Sequence, residues 1–438
     1  MNHPLLVLLT ATTVSLAAAD KHWPEFRGPR GDGVSTATKL PLTWSETGNV
    51  AWKTAIHDKG WSSPVIWGDQ VWVTTATDDG RRLYAVCLDR DTGKVIHDLL
   101  VFEAEQPDLW KRYNSYASPT PVIEKGRIYV TFGEAGTACL DTRTGKKLWE
   151  RRDLKCNHFR GAGSSPILHE GALYLNFDGS DRQFVVAMDA KTGTTRWQKD
   201  RSIDHKDLGP NGKPEADGDL RKAFATCSIT KVGGVPQLIT QGAKAVYGLD
   251  ARDGTELWRV EERSSHSAGT RPAVGHGLVF VPSGWSQGQT LAIRPGTGGS
   301  VLDANGEAPA SGGLGLAWKS KRGTPKKPSL TLVGDLLFGI EDGGVANCWE
   351  ATTGKLVWSE RLGGNYSASP LATRDRVYCF SESGAAVVIA ADRTFRRLAD
   401  NRLDDGCMAS PAATGNSLWV RTRTHLYRLE AKTVAHGR

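Results

Sequence analysis

Several features are scarce in this sequence. Methionine occurs three times in 438 residues, and no run of about eighteen apolar residues could cross a membrane as a helix. No basic block stands out, because 55 Lys and Arg and 48 Asp and Glu are interspersed for a net charge of +7. A nucleic-acid partner and a membrane span are therefore not expected. His-Glu-x-x-His, His-x-His and Gly-x-x-x-x-Gly-Lys-Ser/Thr are all missing, so metal-hydrolase and P-loop chemistry lose their usual signatures. No two cysteines are adjacent.

The chain is rich in Gly (49) and Trp (15). That composition predicts many short strands joined by tight turns, an arrangement that can run long as one domain. Residues 1–19 read as a cleaved signal peptide: Leu5 to Leu9 form an apolar core, and Ala17-Ala18-Ala19 offers a small-x-small cleavage site. No Cys lies near that site to carry a lipid. The expectation is an exported protein, periplasmic or secreted, with an N-terminal extension over 20–46 and a tail over 434–438.

Residues 47–433 carry an internal repeat. Asp89-Arg90-Asp91-Thr92-Gly93 recurs at Asp141 to Gly145, Asp189 to Gly193 and Asp250 to Gly254, and in softened form at Glu350 to Gly354. Four residues after the Gly stands Trp149, Trp197, Trp258 or Trp358, with His97 in the first copy. A second signature precedes each copy. Its Pro slot holds Pro64, Pro121, Pro166, Pro272, Pro370 and Pro411, with Ser228 and Leu330 in the weaker copies. The period of about 50 residues falls in the range of propeller blades. In each Asp-x-x-Thr-Gly turn the Asp accepts backbone hydrogen bonds and the Gly supplies a positive φ. The Trp then covers the edge between blades.

Four-stranded units that cannot bury both faces alone must stack radially, so the fold is all-β, an eight-bladed β-propeller. Seven blades is the alternative, because the fourth and fifth copies are degenerate. The last copy stops after Thr433 without its fourth strand, whereas Thr47 to Trp52 supply one at the other end. The N-terminal strand, with Trp52, is therefore expected to close the ring and remove its open edges. Insertions are expected at about 98–114, 200–222 and 295–313.

Cys87, Cys139 and Cys348 share one repeat slot with Ala187 and Gly248, so they read as small buried hydrophobes. No disulfide framework is expected; Cys156 and Cys407 are the one pair to check. Ser62-Ser63 and Ser164-Ser165 read as residues that bond backbone. Arg30-Gly31-Asp32 reads as an ordinary turn. Asp178 and Asp181 are a weak candidate cation pair, with solvation at a hairpin tip the favoured reading.

The Ala/Cys-x-Asp-x-x-Thr-Gly-x-x-x-Trp copies ending at Trp149, Trp197, Trp258 and Trp358 resemble the PQQ-like repeat family of β-propellers. The opening Trp23 to Gly33 is similar to the start of secreted bacterial members, as are Gly163 to Pro166 and Asp178 to Phe184. The resemblance implies one of two activities. Quinoprotein dehydrogenases of an alcohol or sugar hold their quinone (PQQ) between a channel-floor Trp and a disulfide of adjacent cysteines. Beside it they hold calcium on carboxylate and amide groups, with an Asp as base. The propeller component of the outer-membrane barrel-assembly machinery instead offers a surface to protein partners. Lacking adjacent cysteines and large insertions, this chain reads as a monomeric, non-catalytic binding or scaffold protein with no cofactor. PQQ with calcium belongs to the alternative reading only.

Residues just ahead of the Pro slot should ring one mouth of the central channel. They are Lys59, Trp61, Arg112, Tyr113, Tyr116, His158, Arg160, Arg221, Lys222, His266, Arg271, Lys326, Lys327 and Tyr366. Hairpins on the same face carry Asp78, Asp79, Glu134, Asp178, Asp181, Glu341, Asp342 and Glu382. The expectation is a cationic ring inside an acidic collar, suited to an anionic ligand or an acidic protein partner.

Overall fold

The computed structural model describes residues 21–105, 114–158, 160–285, 288–297, 299–300 and 315–431. The proposed signal peptide, Arg112, Tyr113 and most of the third insertion lie outside them. Eight sheets form an eight-bladed β-propeller, antiparallel throughout except that Gly299–Ser300 adds a parallel fifth strand to blade 4 beside Glu256–Glu261. Blades 1 to 7 span 65–103, 122–151, 167–200, 228–261, 273–320, 331–361 and 371–402. Blade 8 joins residues 412–430 to Val50–Ala55, which pair antiparallel with His425–Glu430 and so close the ring with the N-terminal strand. No helix among the described residues is long and apolar enough to cross a membrane.

The repeat residues hold neighbouring blades together. Trp149 donates its indole N–H to the Ala190 carbonyl at 2.9 Å, Trp197 to Ala251 at 3.1 Å, Trp52 to Arg90 at 3.0 Å and Trp358 to Asp392 at 3.0 Å. Each acceptor lies in the turn of the next blade. At Gly193 (φ 75°) a Cβ would stand 2.7 Å from the Trp149 ring, so Gly permits both the turn and the close approach of the indole. Asp141 shows the turn chemistry: its Oδ1 accepts from the Arg143 N–H (3.0 Å), the Thr144 N–H (2.7 Å) and the Thr144 hydroxyl (2.8 Å). Trp258 departs from this pattern and donates to Gln237 Oε1 in its own blade at 2.7 Å.

Two details correct the sequence reading. In blade 4 the inner strand begins at Ser228, so its Pro slot is Cys227 and not Ser228. In blade 5 the Trp slot is filled by Trp318, which donates to the Ala351 carbonyl at 2.7 Å; the insertion had hidden its spacing. All seven cysteines are buried and free, so Cys156 and Cys407 are not joined.

The extension crosses one mouth of the channel. Trp23 bridges to Ile66 of blade 1, and Pro24 accepts from the Ile123 N–H of blade 2. Glu25 pairs with Arg271 beside blade 5 at 2.7 Å. Arg27 donates to the carbonyls of Leu330 (2.7 Å) and Pro370 (3.3 Å) in blades 6 and 7. Gly33 and Ser35 pair with Ala372 of blade 7. The Arg30–Asp32 turn is part of this crossing, closed by its own ion pair at 3.1 Å.

Candidate functional site

In every blade the chain descends from the open mouth, along the channel wall, toward the crossing segment. In blade 1 that order is Trp61 at the rim, Ser63 below it, and Ile66 paired with Trp23 at the floor. Between rim and floor lies a cavity of about 480 Å³, within the size range of small-molecule sites. Phe26 faces it from the floor, and Trp61 and Trp285 face it from the rim.

A belt of hydroxyl residues stands ahead of the inner strands: Ser63, Thr120, Ser165, Thr226, Ser329, Ser369 and Ser410, with Arg271 in blade 5; all of these except Ser329 and Arg271 line the cavity. Neighbouring blades are linked through it. The Ser63 N–H donates to Thr120 Oγ1 (2.9 Å), Thr120 N–H to Ser165 Oγ (2.9 Å) and Ser165 N–H to Thr226 Oγ1 (3.0 Å). The same link runs from Arg271 to Ser329 (3.0 Å), Ser329 to Ser369 (2.9 Å) and Ser369 to Ser410 (2.9 Å).

Of the residues expected at the mouth, Trp61, Arg160, His266, Lys326 and Lys327 face this cavity. Lys59 stands 5.5 Å over the Trp61 ring and Lys326 5.3 Å over Trp285. Tyr116 and His158 line a separate groove toward blades 1 and 2. Arg221 is engaged by Asp207 at 2.6 Å, and Lys222 is buried against Asp219. Two residues are elsewhere. Tyr366 is core, packed where blades 6 and 7 meet. Arg271 is turned away from the mouth to Glu25, Ser228 and the Phe26 carbonyl.

The expected separation of charge by loop is also modified. Lys327 pairs with Glu382 at 2.8 Å and lies 3.7 Å from Asp342, while Asp219 holds Arg160 through two bonds of 3.0 and 2.6 Å. Collar and ring thus touch. Burial lowers His266 and takes His158 down to about 4, so both imidazoles are neutral at pH 7. Asp178 is not a solvated hairpin tip: it is buried and grips Arg201 at 2.9 and 2.7 Å between blades 3 and 4. Asp181 accepts from the N–H groups of Asn157 and Arg182.

Sequence reasoning missed two buried arginines, Arg27 at the floor and Arg421 beside Ser62 on the rim side of the belt. Arg27 and Arg421 are both buried, and burial pushes both guanidinium groups down to about 9. Their hydrogen bonds go to carbonyl and hydroxyl oxygens: Arg27 to Leu330, Pro370, Asp32 and Thr331, and Arg421 to Ser62 and Thr74. Neither has a carboxylate within ion-pair distance among the described residues. Sequence reasoning also missed Gly284-Trp285-Ser286-Gln287-Gly288, which has the spacing of a nucleophile elbow. Here it joins two antiparallel strands, Leu278–Pro282 and Thr290–Ile293, instead of a strand to a helix.

The model of the family described as "Outer membrane protein assembly factor BamB" matches residues 102–237 and 308–435, more than half of the chain. The chain belongs to this family of PQQ-like repeats. Its curated relatives include the dehydrogenase subunit of a quinone alcohol dehydrogenase from Acetobacter aceti. That match is 27% identical over 190 residues, 42% of this chain and 25% of the relative. The BamB of Moranella endobia is 33% identical over 89 residues, 20% of each chain. The chain thus spans about a quarter or less of these relatives. Among solved structures, quinohemoprotein alcohol dehydrogenase from Comamonas testosteroni aligns with a TM-score of 0.67 and 13% identity, over 97% of this chain and 83% of that one. BamB from Moraxella catarrhalis aligns with a TM-score of 0.57 and 12% identity, over 89% and 99%. At such identities the likeness concerns the fold.

The residues at the cavity do not fit the quinone and calcium arrangement that the dehydrogenase branch implies. No adjacent cysteines exist to cap a ring. No group of three or more His, Cys, Asp or Glu that could hold a metal occurs among the described residues. Calcium needs six to eight oxygens with carboxylates among them. The carboxylate lining the cavity, Asp219, is already taken by Arg160 and Lys222.

Proposed function

We propose that this propeller is an exported, non-catalytic binding protein that receives a ligand or partner segment at the open mouth of its channel. The signal-like residues 1–19 support export to the periplasm or beyond. The observation that carries the reading is the chemistry of the cavity. It has hydroxyl walls, aromatic rings and cations, but no carboxylate positioned as a free base and no calcium donor set among the described residues. Such a surface can recognise and orient; the His266 imidazole can exchange a proton, but no carboxylate base and no metal donor set stands beside it among the described residues. Trp61, Arg160, His266, Lys326 and Lys327 are the residues we assign to recognition, with Lys59 supporting Trp61.

Purified protein mixed with pyrroloquinoline quinone and calcium tests the reading. We expect no quinone-dependent rise in melting temperature beyond that given by the quinone's carboxylates alone, and no dye-linked oxidation of alcohols or sugars. Turnover that requires both quinone and calcium would overturn the reading in favour of a dehydrogenase.

A further inference from the structure

We infer that the hydroxyl belt is the seat of an oxyanion: the carboxylate or phosphate head of a small ligand, inserted head-first down the channel. The inference rests on the reading of the mouth as a binding site and says what that site takes.

The first support is the direction of the hydrogen bonds. Thr120, Ser165, Thr226, Ser329, Ser369 and Ser410 each accept a backbone N–H from the neighbouring blade. An oxygen that accepts in this way points its own O–H elsewhere and becomes a better donor. All six residues are buried, and among the described residues none of their O–H groups has an acceptor. Buried donors are costly to leave unmet, and here five of them, Thr120, Ser165, Thr226, Ser369 and Ser410, line one cavity. A carboxylate or phosphate has several lone pairs and no competing donor, so it can meet several of them together.

The second support is charge. Arg27 lies under the belt at blades 6 and 7, and Arg421 donates to Ser62 beside it in blade 1. Neither has a carboxylate within ion-pair distance among the described residues; Asp32 offsets part of the Arg27 field from further off, while nothing but burial acts on Arg421. The paired cations at the rim would act only on approach; these two act at the seat.

The third support is shape. The crossing of residues 23–35 closes the far mouth, so a ligand enters from one side only. A cavity of about 480 Å³ suits a small molecule better than a folded partner. The head of that molecule would reach the belt while its body lies between Trp61 and Trp285.

Gluconate and sorbitol share a six-carbon polyol skeleton and differ in the carboxylate; inorganic phosphate supplies the alternative head without a body. Titration of the full protein with each, followed by calorimetry, should show gluconate or phosphate binding and sorbitol at least tenfold weaker. Thr120→Val removes the hydroxyl at nearly constant volume and should weaken the anion roughly tenfold or more. Thr120→Ser should restore it, since Ser fills this position in other blades. Arg27→Gln gives a second, independent loss should the Val variant fail to fold. Tighter binding of gluconate identifies a carboxylate ligand, and of phosphate a phosphorylated one. Sorbitol binding as well as gluconate, no binding of either anion, or a folded Thr120→Val variant with unchanged affinity would each overturn the inference. Quinone turnover would instead defeat the non-catalytic reading and leave the belt standing.

Discussion

Ring closure rests on Trp52, and truncating it tests the closure. The side chain is buried, donates to the Arg90 carbonyl at 3.0 Å, and stacks edge-on against Trp419 at 5.7 Å. Its ring lies over Gly93, where a Cβ would come within 2.6 Å. Trp52→Ala thus opens a cavity at the junction of blades 8 and 1. The Arg90 carbonyl is not orphaned, since Arg428 also donates to it at 3.2 Å, so the loss is mainly one of packing. Removal of a large buried aromatic costs about 3–5 kcal/mol. An unfolding entropy of about 2.1 cal/mol/K per residue, taken over the 438 residues, converts this to a drop of about 3–5 °C in melting temperature. Trp149→Ala is the comparison, because Trp149 makes the same contact between blades 2 and 3. Both variants should lose stability, but only Trp52→Ala should speed amide exchange in the closing pair, Val50–Ala55 and His425–Glu430. A fall below about 1 °C, or unchanged exchange there, would refute closure through this residue.

Asp141→Ala removes the acceptor of three turn hydrogen bonds and should cost on the order of 1 kcal/mol while leaving anion affinity unchanged. Those bonds, led by the Thr144 N–H, hold the Asp141 carboxyl below its usual range. Its contribution is therefore present above the unfolded value near 3.9 and lost as pH falls through the lower folded value. Urea midpoints of the two proteins should converge as the pH falls below the usual carboxylate range; a constant gap would count against the turn. Arg271→Ala leaves Glu25 buried without its cation and should destabilise by about 3–5 kcal/mol. Limited proteolysis should then cut within 21–35 before the blades, and equal resistance would show that the pair does not hold the crossing.

The blades could be read from the sequence because their punctuation is local. An Asp that bonds its own turn and a Gly that must adopt a positive φ leave a fixed spacing wherever they occur. Trp318 escaped because the insertion before it broke that spacing, although its indole meets Ala351 as the others meet their turns. The mouth was harder, since loops ahead of the inner strands differ in length and sequence does not give the direction of a side chain. Tyr366 and Arg271 occupy the expected stretch of chain but turn into the core and to the floor. Asp178 looked like a hairpin tip, yet Arg201, from the far end of the same blade, draws it inside. Arg27 and Arg421 were not singled out, as each is one charge in its segment and neither belongs to a repeat position.

The belt joins these two kinds of information. A Ser or Thr before the Pro slot is unremarkable in one repeat, where it merely bonds a neighbouring N–H. Repetition around an axis turns that role into a ring whose free O–H groups share one space. A symmetric ring alone would hold a ligand without orienting it. Here the symmetry is broken at blade 5, where Arg271 replaces the hydroxyl and reaches to Glu25 of the crossing segment. The same segment brings Arg27 beneath blades 6 and 7. At the rim, Trp61 rises from blade 1 and Trp285 from blade 5, on opposite sides of the ring. The crossing segment therefore does more than close the channel. By placing charge under one side of an otherwise repeating wall, it gives the cavity a direction that the repeat alone cannot supply.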